Sequence, residues 1–162
     1  MLSFLSRTFR FTLSMLSFLS LLWNFTIAPV EASIFHLSGD RPTNLGVQNG
    51  KLAPCPTTPN CISSQATDPT HQVPALQLPA SSESLVKIKA AIAALPNAKI
   101  IAETNDYVYA EFTSALMGFV DDVEFYVDEP AGVIQVRSAS RLGESDLGVN
   151  RQRLEMIQSL LN

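Results

Sequence analysis

The sequence predicts a two-layer α+β fold in which a four-stranded antiparallel meander packs against two helices, in the order α-β-β-β-β-α. Three observations support this fold: a helical pattern over residues 82–95, four short alternating runs between residues 98 and 140, and a second helical pattern that ends near residue 161. A proline-rich arm precedes them. The length allows one domain, residues 33–162, with its α+β core at residues 81–162.

Two stretches place apolar residues at helical spacing. The first, "SSESLVKIKAAIAALP" from residue 81, begins with serines that suit a helix N-terminus and ends at Pro96, so it predicts a helix over about residues 82–95. The second, "NRQRLEMIQSLL" from residue 150, predicts a helix to about residue 161. The positions that would face the sheet are Leu85, Ile88, Ile92 and Leu95 in the first helix, and Leu154, Ile157 and Leu161 in the second.

Between the helices lie four short runs rich in β-branched and aromatic residues: "AKIIAET", "YVYAEFT", "DVEFYVD" and "GVIQVRSAS". Turn-forming residues separate them, so we expect neighbouring strands to be antiparallel. In the third run Val123 and Phe125 point to one face, and Asp122 and Glu124 point to the other, because side chains alternate along a strand. The helices would cover the apolar face. The polar face would be open to solvent or covered by the arm.

Residues 33–80 contain seven prolines and little periodicity, which predicts an irregular arm. Cys55 and Cys61 are the only cysteines, and the five residues between them include two prolines, which suits a small disulfide ring. A metal site would require more ligands, and His71 is the only histidine nearby. We expect a disulfide, with metal or redox chemistry as the lesser alternative.

Residues 1–32 have the pattern of a secretory signal peptide. Two arginines precede an apolar run over residues 11–23, and in Val30-Glu31-Ala32 small residues occupy the two positions that a signal peptidase reads. A cleaved signal that ends at Ala32 is the favoured interpretation. An uncleaved membrane anchor over residues 11–30 and an organelle transit peptide are the alternatives. Each of the three predicts a domain that faces away from the cytosol.

The charge balance argues against a nucleic-acid binder. The chain carries a net charge of −4, and removal of residues 1–32 takes away Arg7, Arg10 and Glu31, which leaves nine basic and fourteen acidic residues. Binding to phosphate backbones requires a basic surface. We therefore expect no nucleic-acid partner, and contact with a membrane only through an uncleaved anchor.

The stretch "RSASRLGESDLGVNRQR", residues 137–153, concentrates arginines near acids of the third predicted strand. The hairpin register restricts the partner of Arg137 to Glu124 or Asp122. Structural ion pairs are one interpretation, and an anion-binding or recognition site near a helix N-terminus is the other. The members of one expected, partly buried network are Arg137, Arg141, Arg153, Asp121, Asp122 and Glu124, and Arg151, Tyr109 and Tyr126 complete the candidate binding set.

Catalytic and metal chemistry have little support in the sequence. Ser63, Ser64 and His71 could supply a nucleophile and a base, but no glycines of a nucleophile elbow surround the serines. Asp122 and Glu124 share a face, yet the nearby arginines compete with a cation for their oxygens. We expect no catalytic residue, no metal and no cofactor.

Three separated motifs, "APCPTTPNCISSQA", "FVDDVEF" and "RSASRLGESDLGVNRQRLEMI", resemble the domain of unknown function 1499, over about residues 50–161. Ile62 stands where valine is more usual in that family. The resemblance implies a bacterial, cyanobacterial or plastid-type envelope protein, in a periplasm or a thylakoid lumen, and supplies no activity. We expect a non-catalytic exported binding or assembly domain whose partner is an envelope protein or a small anionic ligand. The alternative is a small-molecule hydrolase or transferase.

Overall fold

The computed structural model describes residues 36–162, and the predicted signal peptide lies outside them. The elements, in chain order, are β1 (Cys61–Ser63), α1 (Ser82–Ala93), β2 (Ala98–Glu103), β3 (Tyr107–Thr113), β4 (Val120–Asp128), β5 (Val133–Ser140) and α2 (Val149–Leu161). The α+β class and both helices agree with the sequence prediction. Within the described part of the chain, no helix is long and apolar enough to cross a membrane.

The sheet has five strands, in the order β1-β5-β4-β3-β2, and every neighbouring pair is antiparallel. The prediction of four strands is therefore wrong by one. The additional strand, β1, pairs Cys61 with Ala139 and Ser63 with Arg137 on the edge of β5. Three residues in a proline-rich segment are too few to show the alternation that identifies a strand in a sequence.

Local sequence explains where each helix begins. Ser81 has extended backbone angles, and its hydroxyl accepts the amide proton of Ser84, so it caps α1. At α2 the N-cap is Gly148, and Asp146 stabilises the start of the helix from two residues before it, since its carboxylate accepts the amide protons of Gly148 and Asn150 at 3.1 and 2.9 Å. Burial opposes ionisation of Asp146, but these backbone hydrogen bonds outweigh it and lower the pKa of the carboxyl group.

The apolar core lies between the sheet and the two helices. Val123, Phe125 and Val127 of β4 face it and are almost wholly buried. Ile88 of α1 and Ile157 of α2 are fully buried in the same cluster. Burying one such side chain contributes about 1.5–3 kcal/mol, so this face supplies the main apolar driving force for folding.

Residues 36–80, which we call the arm, first cover the side of the sheet opposite the helices, where Gly46 contacts Glu124. They then follow the β5 edge of the sheet, where Val73 and Leu76 join the apolar core. The arm hydrogen-bonds to loops and strands through Leu37 N to Met117 O at 3.3 Å and Leu76 N to Ile134 O at 3.0 Å. Gly39 has a φ of +63°, and a Cβ there would lie 3.0 Å from Leu142 Cγ and 3.1 Å from Arg141 Cβ. Only glycine permits so close an approach of the arm to the end of β5.

Candidate functional site

Charged and tyrosine side chains lie between the sheet and the arm. We call this group the ionic layer; its members are Glu111, Asp122, Glu124, Arg137 and Arg141, with the tyrosines Tyr107 and Tyr109. Asp122 and Glu124 are 1% and 0% exposed, and Arg137 is 7% exposed. The polar face of the sheet is therefore a second buried layer. Such burial requires that each charge finds a partner inside the protein.

Arg137 and Glu124 form the first pair of the ionic layer. They are direct cross-strand partners on β5 and β4, and Arg137 Nη1 lies 3.3 Å from Glu124 Oε2. Glu124 Oε1 accepts two further hydrogen bonds at 2.8 Å, from the hydroxyl of Tyr107 and from the amide of Gly46 in the arm. The expected pairing of Arg137 with Glu124 is thus present. The pair also fixes the position of the arm, because one carboxylate oxygen of Glu124 binds its backbone.

Arg141 organises the second group of the ionic layer. Its Nε is 3.0 Å from Asp122 Oδ2, its Nη2 is 2.7 Å from Asp122 Oδ1, and it also pairs with Glu111. Tyr109 donates its hydroxyl proton to Asp122 at 2.6 Å, and Arg41 of the arm lies 2.7 Å from Glu111. Burial opposes ionisation of Glu111, but hydrogen bonds from the two arginines prevail and lower its pKa to about 2.

Arg41, Arg137 and Arg141 balance the three carboxylates of the ionic layer. Because each guanidinium is already paired with a carboxylate of the protein, the layer presents no free cation to an external anion while the arm is docked. One polar atom stands apart: Arg137 Nε is buried and has no acceptor among residues 36–162. Buried donors are nearly always hydrogen-bonded, so this nitrogen is an exception within the ionic layer.

The remaining candidate residues do not join the ionic layer. Arg153 pairs with Asp121 and lies 4.8 Å from the ring centroid of Phe112, on the helix side of the sheet. Arg151 donates to Gln72 O at 3.3 Å, at the edge of the arm. Tyr126 lies on the arm side beside Gly50, where partial burial raises the pKa of its hydroxyl.

The expected single network of three arginines and three acids is therefore wrong. Asp121 and Asp122 are consecutive, so their side chains project from opposite faces of β4 and recruit different arginines. Arg153 follows Asp121 to the helix side, where it also donates to Asn150 Oδ1 at 2.7 Å. The sheet itself separates the two sets of ion pairs.

A cavity of about 550 Å³ lies next to the ionic layer, between two parts of the arm: residues 44–55 and the turn that follows β1. We call it the arm cavity. Its lining residues are Asn44, Gly46, Gln48, Asn49, Lys51, Leu52, Ala53, Pro54, Cys55, Ser63, Gln65, Ala66, Thr67 and Asp68. Two of them connect it to the ion pair described above, because Gly46 donates to Glu124 and Ser63 is the cross-strand partner of Arg137.

The walls of the arm cavity are held by specific contacts. Asn49 and Gly50 have φ values of +52° and +75° between the paired residues Gln48 and Lys51, the geometry of a two-residue hairpin turn. Gln65 crosses from the opposite wall: its Oε1 accepts the amide proton of Leu52 at 2.8 Å, and its Nε2 donates to Gly50 O at 3.1 Å. Cys55 is bonded to Cys61, so the expected disulfide closes one end. The cavity is therefore preformed.

The charged groups of the arm cavity are Lys51 and Asp68. Asp68 has a partner of its own, since its Oδ1 lies 2.8 Å from His71 Nδ1. His71 Nε2 lies 3.1 Å from Thr58 O, so acceptors face both ring nitrogens and favour the doubly protonated ring. The hydrogen bond to Asp68 raises the pKa of His71 above its ordinary value of 6.5. The Lys51 ammonium makes no ion pair among the described residues, which leaves it as the uncompensated cation of the cavity.

The serine and histidine candidates do not assemble a catalytic pair. His71 directs its ring nitrogens to Asp68 and Thr58. Ser64 donates to Gln135 Oε1 at 2.7 Å and accepts the amide proton of Val136 at 2.8 Å, while Ser63 accepts the amide proton of Gln65. Both hydroxyls therefore brace the turn after β1. Over residues 36–162, His, Cys, Asp and Glu side chains form no group of three or more that could hold a metal.

The candidate residues identified from the sequence include most of the ionic layer but few of the residues that line the arm cavity. Gly46, Lys51 and Gln65 lie in the segment predicted to be irregular, and Glu111 was not among the candidates. The dipeptide Asn49-Gly50 was the available signal, because Asn-Gly is typical of a two-residue hairpin turn. No comparable signal existed for Gln65, whose role depends on the approach of two distant segments.

Comparison with known proteins supports the family resemblance. The model of a family described as "Protein of unknown function (DUF1499)" matches residues 51–161, which include the disulfide ring, the whole sheet and both helices. Searches of curated proteins and of solved structures gave no significant match. The family match covers more than half of the chain and most of the described residues. The chain therefore belongs to the DUF1499 family of proteins of unknown function.

Proposed function

We propose that this domain is a non-catalytic, exported binding domain that holds a small anionic ligand in the arm cavity. The observation that carries the proposal is the combination of a preformed polar cavity with one uncompensated cation, Lys51, in its wall. Cavities of roughly 300–1,000 Å³ are typical of small-molecule sites, and few charged groups suffice to orient a ligand there.

The chemistry of the walls indicates the class of ligand. Asn44, Gln48 and Asn49 offer amide groups, which both donate and accept hydrogen bonds. Asp68 would repel an anion, and a protonated His71 would compensate its charge. A ligand with one carboxylate or phosphate group beside Lys51 and several hydroxyl or amide groups would match this arrangement.

The ionic layer would act as the support of this site and not as its receptor. Glu124 holds Gly46, and Arg41 holds the start of the arm on Glu111, so the layer positions one wall of the cavity. Export is supported by the signal-like pattern of residues 1–32 and by the disulfide, which persists in oxidising compartments such as a periplasm or a thylakoid lumen.

The proposal can be tested by nuclear magnetic resonance titration of the exported protein with a panel of monocarboxylates, dicarboxylates and sugar phosphates. We expect at least one probe to give saturable shifts of the Gly46, Lys51 and Gln65 amides. Lys51→Met should weaken that binding about tenfold or more, while Lys87→Met should not, because Lys87 is an exposed lysine of α1 outside the cavity.

Two results would contradict this function. Equal weakening by Lys51→Met and Lys87→Met would show that the probe responds to general surface charge. The absence of saturable shifts at the cavity amides with every probe would show that the arm cavity binds none of these anions, and would contradict the proposal. Chemical conversion of a bound probe would instead support the alternative of a hydrolase or transferase.

A further inference from the structure

Large exposed hydrophobic side chains gather at one end of the sheet. We call this group the apolar rim; its members are Leu37, Leu116, Phe119, Leu142, Leu147 and Val149. The pairing of Thr113 with Val120 and of Asp121 with Ser140 brings the β3–β4 loop and the β5–α2 loop to the same end. The hydrogen bond from Leu37 to Met117 places the start of the arm there as well.

The clustering is not a consequence of a generally apolar surface. Among residues 36–162, nine large hydrophobic residues are exposed, and six of these nine form the rim. Leu147 is the extreme case: it is 88% exposed, and its φ of +53° lies in the left-handed region that a leucine rarely adopts. The positive φ belongs to a turn in which Leu147 and Gly148 both have positive φ and the amide of Val149 donates to Asp146 O at 3.1 Å. That turn does not bury the side chain, and a partner that covers it would account for its exposure.

The direction of the chain indicates what that partner is. The residues before the arm include an apolar run over residues 11–23 behind two arginines, a pattern that carries exported chains to a membrane. Leu37 hydrogen-bonds to Met117 of the β3–β4 loop, so the amino-terminal end of the arm lies at the rim. We propose that the apolar rim inserts into the interfacial region of the bilayer across which this chain is exported.

The charges near the rim define the type of membrane contact. Asp40 and Glu144 are exposed beside it, and the nearby Arg41 is engaged with Glu111. This end of the domain would therefore have no electrostatic attraction to an anionic membrane. The rim binds through apolar area, so its contact requires no anionic lipid and persists at high salt concentration.

Fluorescent labels on the full-length chain test this contact directly. Both native cysteines are in the disulfide, so a single introduced cysteine can be labelled selectively. The protein is combined with phosphatidylcholine vesicles that contain a spin-labelled lipid quencher. Labels on Leu116→Cys and Leu147→Cys should shift to shorter wavelength and be quenched. A label on Ala131→Cys, in the exposed β4–β5 turn at the opposite end of the sheet, should remain unchanged.

A further substitution, Leu147→Asn, introduces a residue that tolerates positive φ and removes the apolar side chain. It should reduce quenching of the label at position 116 several-fold. Unchanged quenching, or equal quenching at position 131, would overturn the proposal, and so would contact that requires anionic lipid. A wavelength shift that grows with protein concentration without vesicles would overturn it in favour of a second copy of the chain.

Discussion

The two faces of one sheet differ in how they are buried. On the helix side, Phe125 and its neighbours form an ordinary apolar core. On the arm side, the adjacent residue Glu124 is equally buried but is held by Arg137, Tyr107 and the arm backbone. Alternation of apolar and charged residues along β4 therefore does not mark a solvent-exposed face. It marks two layers with different kinds of partner.

The two layers also differ in what they contribute. Apolar burial supplies folding free energy without requiring particular pairs. A buried ion pair contributes little net stability compared with apolar residues of similar volume, but the loss of one partner is costly. The ionic layer thus serves to fix the arm in one position. That position forms the arm cavity, which is why we assign the layer a supporting role in binding.

The largest effect is expected for Glu124→Ala. It leaves Arg137 buried without its carboxylate and releases Gly46, so we expect a loss of about 3–5 kcal/mol in the free energy of unfolding, measured with urea. Phe125→Ala on the helix side should cost a similar amount, through the cavity that it leaves.

A double variant distinguishes the two faces of the sheet. In Glu124→Leu/Arg137→Met both charges are absent. We expect this variant to regain most of the free energy of unfolding that Glu124→Ala is expected to lose. We expect no second substitution at an apolar neighbour to restore the stability lost in Phe125→Ala in the same way. A cost of about 1 kcal/mol or less for Glu124→Ala would mean that the pair is solvated and that the arm does not cover it.

A smaller effect is expected for removal of the disulfide. Replacing Cys55 and Cys61 together with serine opens a short ring, and the chain-entropy model gives a loss of about 2 kcal/mol. The same variant should bind any ligand of the arm cavity more weakly, because Cys55 lines it. Loss of stability with unchanged ligand affinity would show that the disulfide ring does not contribute to ligand binding in the arm cavity.

The smallest effect concerns pH. The raised pKa of His71 means that the His71–Asp68 interaction is fully present below about pH 6.5 and is lost as the pH rises through the folded-state pKa. Unfolding measured over a pH series should show this decline in the wild type, and His71→Asn should abolish it. A wild-type free energy of unfolding that does not change over this pH series would contradict a stabilising interaction between protonated His71 and Asp68.

Periodicity in the sequence was sufficient for both helices and for four strands, because each is long enough to show its pattern. The same alternation, with the hairpin register, correctly limited the partner of Arg137. It did not show that Glu124 is buried, since burial depends on an arm 78 residues away in sequence. The short strand β1 and the wall residue Gln65 were missed for the same reason: their structure is determined by distant contacts.

Hydrogen exchange at the amide of Gly46 tests the central claim most directly, because this amide binds Glu124 in the ionic layer. We predict that it is strongly protected in the wild type, and that Glu124→Ala accelerates its exchange at least about tenfold more than that of Phe125 on the core side. Exchange of the wild-type Gly46 amide as rapid as that of the exposed Asn49 would show that the arm is not docked, and would contradict the account.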